Sequence, residues 1–397
     1  MITVDLSDDQ RAAHDSIVDW HRSRRRDMLT MGGYAGTGKT TTLGATAATI
    51  KDGRARIAYL CFTGKASLVL RGKLGPALSG GDYCGTIHSL IYKPGKRVNG
   101  QMTWEKKDAG EIRFDLFCLD EASMIGADIL KDLQSYGIPI LAVGDHGQLP
   151  PVQGALNLMA SPDIRLEKIH RQAEGSPIIR MSMLARLEGR IPHGVYGPGV
   201  VKHNDRTILD RIRDPKAGVV LCGTNRTRVQ VNAALRSRLG YSGIPKIGER
   251  VVALRNDRLA GVYNGMLGEV FAMNDDGCPL EGQRADDGRR LCDKNCHRHY
   301  DGEVIFRDSD ASWSGPIVKA QFGAIKTLDE YSTTKPGRAI GGQYDFGYCL
   351  TTHKMQGSEA DNVIVIEECS WMDEDTRRRW LYTSTTRSRK NLTIIGQ

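Results

Sequence analysis

Short apolar segments alternate with helix-like segments of mixed polarity along most of the chain. Each apolar segment is bounded by Gly, Pro or Asp, a pattern typical of buried strands in a parallel sheet. We predict strands at 28–32, 57–62, 114–120 and 138–145, followed by a second set at 218–224, 362–368 and 391–396. The helical, charged stretch SPIIRMSMLARLEGR lies between the two sets. The pattern therefore predicts an α/β fold of two units in tandem.

Two segments depart from this alternation. The stretch 92–114 carries Asn99-Gly100 between short β-prone runs, and this dipeptide favours a tight hairpin turn. The stretch from about 271 to 335 is rich in Gly and Asp, with scattered β-prone pieces. We predict a β-hairpin insertion in the first unit and a small β insertion in the second.

The length and the cysteine content bound the class of protein. A chain of 397 residues suits two domains, which we divide at 1–172 and 173–397. No apolar run approaches the roughly 20 residues of a membrane span, and the acidic start MITVDLSDDQ does not resemble a secretory signal. Nine scattered cysteines fit reduced thiols better than a disulfide framework. We therefore expect a cytoplasmic protein without a membrane partner.

The charge balance favours polyanionic partners without establishing them. Fifty-five Lys and Arg against 47 Asp and Glu give a formal net charge of +8. Basic runs occur at 21–26 and 376–380. Solvated helix faces are the more common explanation of such runs, although they could add salt-sensitive contacts to nucleic acid.

The stretch GYAGTGKTT has the spacing of a phosphate-binding P-loop. Its glycines permit a tight loop whose N–H groups point at phosphate oxygens, Lys39 reaches the β and γ phosphates, and the Thr40 hydroxyl ligates Mg²⁺. The loop follows a predicted strand and precedes a predicted helix, as the motif requires. The predicted nucleotide-binding residues of the loop are Gly33, Tyr34, Ala35, Gly36, Thr37, Gly38, Lys39, Thr40 and Thr41.

Two carboxylates and two arginines complete a candidate hydrolytic site. Asp120 and Glu121 end a predicted strand, where Asp120 would hold Mg²⁺ and Glu121 would polarise the attacking water; a solvated helix cap is the alternative. Phosphoryl transfer needs more positive charge than Lys39 supplies. Arg171 and Arg387 are candidates by position, and each could instead be a surface arginine.

The motifs occur in an order that resembles superfamily 1 DNA helicases of the 5′-to-3′ branch, the RecD and Dda type. The resemblance runs from about Leu6 to Ile395. The matching segments are LSDDQRAA, GYAGTGKTT, CFTGKAS, GTIHSL, FCLDEASM, AVGDHGQLPPV, LEKIHRQ, CGTNRTRVQVN, VYNGMLGEV, LTTHKMQGSEADNVIV and LYTSTTRSR. GD-x-x-QLPPV and T-x-H-K-x-QGSE are specific to this branch.

This resemblance implies two RecA-like domains with ATP and Mg²⁺ in the cleft between them. Gln10 would read the adenine edge, and Gln148 would sense the γ phosphate. Arg171 and Arg387 would clamp the γ phosphate, so the implied catalytic set is Lys39, Glu121, Gln148, Arg171 and Arg387. Gly357 and Glu359 would join the ATP-binding set, with Glu359 near the ribose or near the DNA face of the second domain.

The resemblance also implies a single-stranded DNA path of loop-tip hydroxyl, amide and lysine groups that read the backbone without regard to sequence. Its expected residues are Thr63, Lys65, Thr86 and His88 on the first domain, and Asn225, Thr351, His353 and Lys354 on the second. For the two histidines, a structural imidazole is the alternative.

In this family the hairpin at 92–114 matches a pin near the duplex junction. Trp104 would stack there on the last base pair, or else pack on the protein body. The insertion at 271–335 matches an SH3-like barrel. It holds five potential zinc ligands, but the C-x3-C spacing departs from the usual C-x2-C pairs, which favours reduced, unliganded side chains. These residues are Cys278, Cys292, Cys296, His297 and His299.

The expected function is that of an ATP-dependent DNA helicase moving 5′ to 3′ on single-stranded DNA. The alternatives are a translocase or protein-displacing motor that unwinds poorly, and an ATP-switch subunit of a recombination or nuclease complex. Single-stranded DNA and forked or tailed duplex are the expected partners, with a single-strand-binding or other replication or recombination protein as a further one. We expect a monomer from a prokaryotic cell or a phage, with a role in replication, repair or recombination that no motif specifies.

Overall fold

The computed structural model describes residues 5–51, 55–98, 101–150, 157–169, 175–205, 207, 214, 217–255, 257, 260–281, 283–284, 298–306, 311–327 and 341–396. Its α-helices are α1 Asp8–Ser23, α2 Lys39–Lys51, α3 Gly64–Leu74, α4 Ile87–Ile91, α5 Ala127–Gln134, α6 Pro177–Glu188, α7 Asn225–Arg238 and α8 Glu374–Thr385. Its strands are β1 Met28–Gly33, β2 Ile57–Cys61, β3 Tyr83–Thr86, β4 Tyr92–Val98, β5 Gln101–Lys106, β6 Leu116–Asp120, β7 Ile140–Gly144, β8 Ile164–Leu166, β9 Gly194–Gly197, β10 Val200–His203, β11 Val219–Cys222, β12 Arg250–Ala253, β13 Leu267–Asn274, β14 His299–Ile305, β15 Ser312–Val318, β16 Tyr344–Phe346, β17 Cys349–Thr351, β18 Ala360–Ile366 and β19 Ser388–Ile395.

The first sheet has six parallel strands in the order β3-β2-β6-β7-β1-β8. Its central strands are continuously apolar and buried on both faces, as expected when helices cover both faces of a parallel sheet. The carboxyl ends of β1, β6 and β7 therefore meet at one edge, which collects the loops that follow them. The four strands predicted for the first unit are confirmed.

The second sheet has the order β17-β11-β18-β19-β10-β9, and every pair is parallel except β9 with β10. The strands predicted for the second unit are confirmed. The α6 residues Ile178 and Met181 pack in the same core as Trp380 of α8, so α6 belongs to this second core. The domain boundary at 172 stays a prediction, and it falls between β8 of the first sheet and α6.

A third sheet of five antiparallel strands, in the order β15-β14-β13-β12-β16, extends from Arg250 to Phe346. It is wider at both ends than the insertion predicted at 271–335. The segment VYNGMLGEV, which resembled part of the second core domain, leads into β13 of this sheet. A short apolar run does not reveal whether its strand joins a parallel or an antiparallel sheet, which explains the error. The SH3-like assignment stays a prediction.

Strands β4 and β5 pair antiparallel as a separate ribbon within the predicted hairpin segment. The ribbon ends at Lys106 rather than 114. The Tyr136 hydroxyl anchors its base by donating to the Lys107 carbonyl (2.8 Å), with the Ile91 carbonyl also within reach at 3.2 Å. Asn99, Gly100 and the Trp104 side chain lie outside the described residues, so the role of the ribbon as a pin stays a prediction.

Across the described ranges, no helix is both long enough and apolar enough to cross a membrane. The seven cysteines in these ranges are all buried free thiols.

Candidate nucleotide-binding cleft and nucleic-acid interface

The P-loop connects β1 to α2 at the edge of the first sheet. Gly36 and Gly38 adopt left-handed backbone angles (φ 82° and 76°) that a side chain would strain. A Cβ at Gly33 would lie 2.6 Å from the Thr37 hydroxyl, so the loop is closely wound. The Lys39 ammonium donates to the carbonyls of Gly33 (2.7 Å) and Tyr34 (3.0 Å). The loop Gly33 to Thr41 thus forms a closely wound cradle, and its own carbonyls hold the Lys39 ammonium.

Gln10 attaches the start of α1 to this cradle. Its side chain is buried, its Oε1 accepts from the Ser7 amide (3.1 Å), and its Nε2 donates to the Thr37 carbonyl (3.3 Å). Both ends of the amide are thus used within the protein. A role for Gln10 in reading adenine stays a prediction.

The two carboxylates lie where β6 ends, at the edge that also carries the P-loop. Glu121 adopts a left-handed backbone angle (φ 54°), which is uncommon outside glycine and is typical of functional sites. Burial raises the pKa of both carboxyls, and the neighbouring Asp120 raises the pKa of Glu121 further. The charges of Arg387 and Lys39 oppose the shift at Glu121. Groups from both units therefore act on one carboxylate.

Asp145 follows β7 and is a junction that the sequence reasoning missed. Its buried carboxylate accepts hydrogen bonds from the Gly147 amide (2.9 Å) and from the Tyr382 hydroxyl (2.7 Å) of α8. It also faces Gln148 Nε2 at 3.5 Å and Lys39 Nζ at 3.9 Å. The Oε1 of Gln148 is buried without a hydrogen-bond partner in the described structure. That free acceptor is compatible with the predicted sensor role, which stays a prediction.

The predicted arginine of the second unit lies buried at the end of α8. Arg387 donates to the carbonyls of Thr383 (3.0 Å) and Ser358 (3.2 Å) and to the Thr386 hydroxyl (3.1 Å). These partners hold its guanidinium within the second unit. Its charge lowers the pKa of Glu121, which belongs to the first unit. Arg171, the other predicted arginine, lies outside the described residues.

Two arginines that were not predicted reach the first unit. Arg379 of α8 donates to the carbonyls of His146 (2.8 Å) and Gln148 (3.3 Å). The Arg186 guanidinium of α6 lies 3.6 Å from the centre of the Tyr34 ring. The clusters of Arg in RRRW and in MLARLEGR carried charge but no recognisable motif, so no sequence signal distinguished them from surface residues.

The remaining two predicted ATP residues, Gly357 and Glu359, lie just before β18. Gly357 has a left-handed backbone (φ 69°), and a Cβ there would lie 3.7 Å from the Thr63 hydroxyl. Glu359 is exposed. The structure thus places Gly357 beside a residue predicted for DNA, and its ATP role stays a prediction, as does that of Glu359.

On the first unit, the predicted DNA residues cap two helices at the same sheet edge. The Thr63 hydroxyl accepts from the Ala66 amide (3.2 Å), and the Thr86 hydroxyl accepts from the Ser89 amide (3.2 Å). The His88 ring lies 5.2 Å from the ring of Tyr92. The side chain of Lys65 lies outside the described part.

On the second unit, all four predicted DNA residues line one cavity of about 280 Å³. The third sheet and the segment after β15 complete its wall with Val252, Leu254, Gln321, Ile325, Thr327 and Asp345, while Arg228 and Leu350 come from the second unit. The lining residues predicted from sequence are Asn225, Thr351, His353 and Lys354. The structure therefore brings these separate motifs together.

Lys354 and the third sheet connect this cavity to the first unit. The Lys354 ammonium donates to the Asn264 side chain, and burial lowers the pKa of Lys354 to about 8. The adjacent Tyr263 ring covers Gly64 at the start of α3, beside Thr63. The third sheet thus touches both units where their predicted DNA residues lie.

The zinc hypothesis is tested only in part. Cys278 Sγ lies 3.3 Å from His299 Nδ1, while Cys292, Cys296 and His297 are outside the described residues. Among the residues that the structure does describe, no group of three or more His, Cys, Asp or Glu side chains is placed to hold a metal ion.

Two families of known proteins match the chain. The family described as an AAA domain matches residues 5–196. The family described as a UvrD-like helicase C-terminal domain matches residues 346–395. The matched segments contain the P-loop and Arg387, respectively.

Two individual proteins are similar to this chain in sequence over nearly its whole length. The ATP-dependent RecD2 DNA helicase of Deinococcus radiodurans is 27% identical over 98% of this chain and 49% of its own length. The conjugal transfer protein TraA of Agrobacterium fabrum is 25% identical over 98% of this chain and 32% of its own length. The chain therefore spans half or less of these relatives.

The fold of this chain is similar to that of a solved helicase structure. Pif1 helicase from Bacteroides, in complex with ADP-AlF3 and ssDNA, has a TM-score of 0.53 and 19% identity, over 98% of this chain and 92% of that one. The two family matches, the RecD2 relative and the ordered cleft motifs show that this chain resembles superfamily 1 helicases of the RecD and Pif1 type.

Proposed function

We propose that this chain is an ATP-dependent DNA helicase that translocates 5′ to 3′ on single-stranded DNA. One observation carries the proposal: the loop bearing Gln148 is hydrogen-bonded to the segment bearing Lys354, through Gln356 Nε2 and the Leu149 carbonyl at 3.0 Å. This direct contact would join the proposed phosphate-binding site to the proposed DNA-binding cavity. A translocating motor requires coupling of this kind between its ATP site and its DNA-binding site.

In the ATP site, Lys39 would neutralise the β and γ phosphates and Glu121 would orient the attacking water. Gln148 would sense the γ phosphate, and Arg387 would stabilise the charge that develops on the γ-phosphate oxygens, with Arg171 as a second candidate. Arg387 lies on the second unit, so turnover would depend on how closely the two units approach.

The Thr40 hydroxyl and the Asp120 carboxylate fit a magnesium ion. Both are hard oxygen ligands at one sheet edge, and the burial that raises the pKa of Asp120 would be offset by a divalent cation. Bound Mg²⁺ would neutralise phosphate charge during transfer. Asp120 would hold the ion, leaving Glu121 for the water.

For DNA, the cavity residues Asn225, Thr351, His353 and Lys354 would hold the backbone on the second unit. Thr63 and Thr86, with Lys65 and His88, would hold it on the first unit. Closing and opening of the cleft would then move one set of contacts relative to the other and step the protein along the strand. The RecD2 relative is named a DNA helicase, which supports DNA as the substrate.

The motifs GD-x-x-QLPPV and T-x-H-K-x-QGSE support the 5′-to-3′ direction by resemblance. The β4-β5 ribbon would serve as a duplex-splitting pin, and forked or tailed DNA would be the substrate of a monomer. A single-strand-binding protein or another replication or recombination protein would be a further partner.

The test is ATP hydrolysis with and without an unstructured single-stranded oligonucleotide. Wild type should be stimulated by DNA, while Glu121→Gln should bind ATP and lose turnover by about a hundredfold or more, because water is no longer activated. Glu111→Gln is the matched control, since Glu111 pairs with Lys93 at an exposed site. Hydrolysis unaffected by DNA would contradict the motor and favour an ATP switch.

A further inference from the structure

The hydroxyl of Tyr382 joins the two units at the mouth of the phosphate cradle. It accepts a hydrogen bond from the Ala35 amide of the P-loop (2.7 Å) and donates one to Asp145 Oδ2 (2.7 Å). The side chain is 1% exposed, and its ring stands edge-on to Tyr34 at 6.0 Å. A single buried side chain of α8 therefore contacts the P-loop and the loop after β7 together.

Asp145 connects this contact to the lysine of the P-loop. The same carboxylate oxygen that accepts from Tyr382 lies 3.9 Å from the Lys39 ammonium. Lys39 rests on P-loop carbonyls, and a phosphate in the cradle would draw its ammonium toward itself. The buried charge of Asp145 would then be stabilised mainly by the hydrogen bonds from the Tyr382 hydroxyl and the Gly147 amide. Losing the tyrosine bond would therefore cost more when a phosphate occupies the cradle.

The helix that carries Tyr382 also fixes Arg387. The next residue, Thr383, accepts from the Leu149 amide with its hydroxyl (3.0 Å) and from Arg387 Nε with its carbonyl (3.0 Å). A shift of Tyr382 relative to the P-loop would therefore move the last turn of α8 and the guanidinium that it supports.

We propose that Tyr382 is a positioning residue for ATP turnover, whose hydroxyl fixes the last turn of α8, and with it Arg387, relative to the P-loop. The proposal rests on the proposed function, because it assigns the residue to the same cleft. The hydroxyl is bonded to the Ala35 amide and to Asp145, so the role assigned to it is positioning rather than chemistry. Its effect is to keep the Arg387 guanidinium at the distance from the P-loop at which it would stabilise the charge of a bound phosphate.

Tyr382→Phe tests this, because it keeps the ring and removes the hydroxyl. We expect kcat for DNA-stimulated hydrolysis to fall about tenfold or more, since small displacements of catalytic groups cost that much, with KM for ATP changed less than about threefold. The control is Tyr59→Phe, whose buried hydroxyl has no partner in the described structure and should be dispensable. Unchanged kcat in Tyr382→Phe would overturn the proposal.

A second measurement separates this proposal from the proposed function. In the nucleotide-free protein, Tyr382→Phe should speed amide hydrogen exchange in the P-loop at 33–41 and leave the buried strand 57–61 unchanged. If wild type shows no DNA-stimulated hydrolysis, the motor fails, and exchange alone decides the role of Tyr382. Unchanged exchange in the P-loop would then overturn it.

Discussion

Gln356 donates from Nε2 to the backbone carbonyl of Leu149 over 3.0 Å, across 207 residues of sequence. Gln356 follows the short helix Thr352–Met355, which carries His353 and Lys354. Leu149 follows Gln148. A buried hydrogen bond thus ties the segment that lines the cavity to the loop that faces the P-loop.

Gln356→Leu should uncouple hydrolysis from DNA. The substitution keeps most of the side-chain volume, removes the donor and leaves the buried Leu149 carbonyl unpaired. Stimulation of hydrolysis by single-stranded DNA should fall about tenfold, in the range of typical coupling energies, while hydrolysis without DNA falls less. Gln283→Leu is the control, because that exposed amide donates to the nearby Pro279 carbonyl. Equal stimulation in wild type and Gln356→Leu would argue against this link.

The local structure of the candidate nucleotide site could be predicted from sequence, because neighbouring residues specify its backbone conformation. The P-loop glycines and the carboxylates after β6 depend on a turn and a strand end that neighbouring residues specify. Tyr382 and Asp145 could not be predicted as partners, since their contact depends on how two units dock. The bounds of the third sheet were missed for a similar reason, because strand pairing is set by distant segments.

Gly64→Ala should weaken DNA binding through the third sheet. An added methyl group would overlap the ring of Tyr263, whose neighbour Asn264 accepts from Lys354. We expect affinity for single-stranded DNA to fall about tenfold, the cost of roughly one displaced hydrogen-bonded contact to a charged group. Fluorescence anisotropy measures this directly.

Gly72→Ala is the matched control on the same helix. A Cβ at Gly72 meets nothing within 4 Å, so the change should leave DNA affinity unaltered and stabilise α3 by about 0.5–1 kcal/mol. Equal DNA affinity in the two variants would show that the contact between Tyr263 and Gly64 is unimportant for binding.

The affinity for DNA should depend on the protonation of Lys354. Burial and the charge of Arg228 lower its pKa to about 8, while Asp345 opposes the shift. Burial also lowers the pKa of His353, so His353 is neutral across the alkaline range. Below pH 8 Lys354 is mainly cationic and would bind backbone phosphate. Affinity should therefore fall as the pH rises from about 7 to 9.5.

Lys354→Arg checks the sign of this effect. Arginine stays charged throughout that range, so the variant should lose most of the pH dependence while retaining the salt dependence of binding. An identical pH profile in Lys354→Arg and wild type would assign the titration to another group.

The β4-β5 ribbon should be needed for unwinding rather than for movement. Trp104→Ala should reduce strand separation on a forked duplex severalfold, because a base-stacking contact of about 1–3 kcal/mol is lost, and leave translocation on single strands intact. Stopped-flow release of a labelled strand and a translocation assay would measure the two activities separately. Unchanged unwinding would indicate a tryptophan that only packs on the protein.

The central claim is most directly tested by unwinding of two labelled duplexes that differ only in carrying a 5′ or a 3′ single-stranded tail. With ATP and Mg²⁺, we predict that the protein separates the 5′-tailed duplex and leaves the 3′-tailed duplex largely paired. Separation of the 3′-tailed duplex alone would contradict the direction, and failure to separate or translocate on either would contradict the motor.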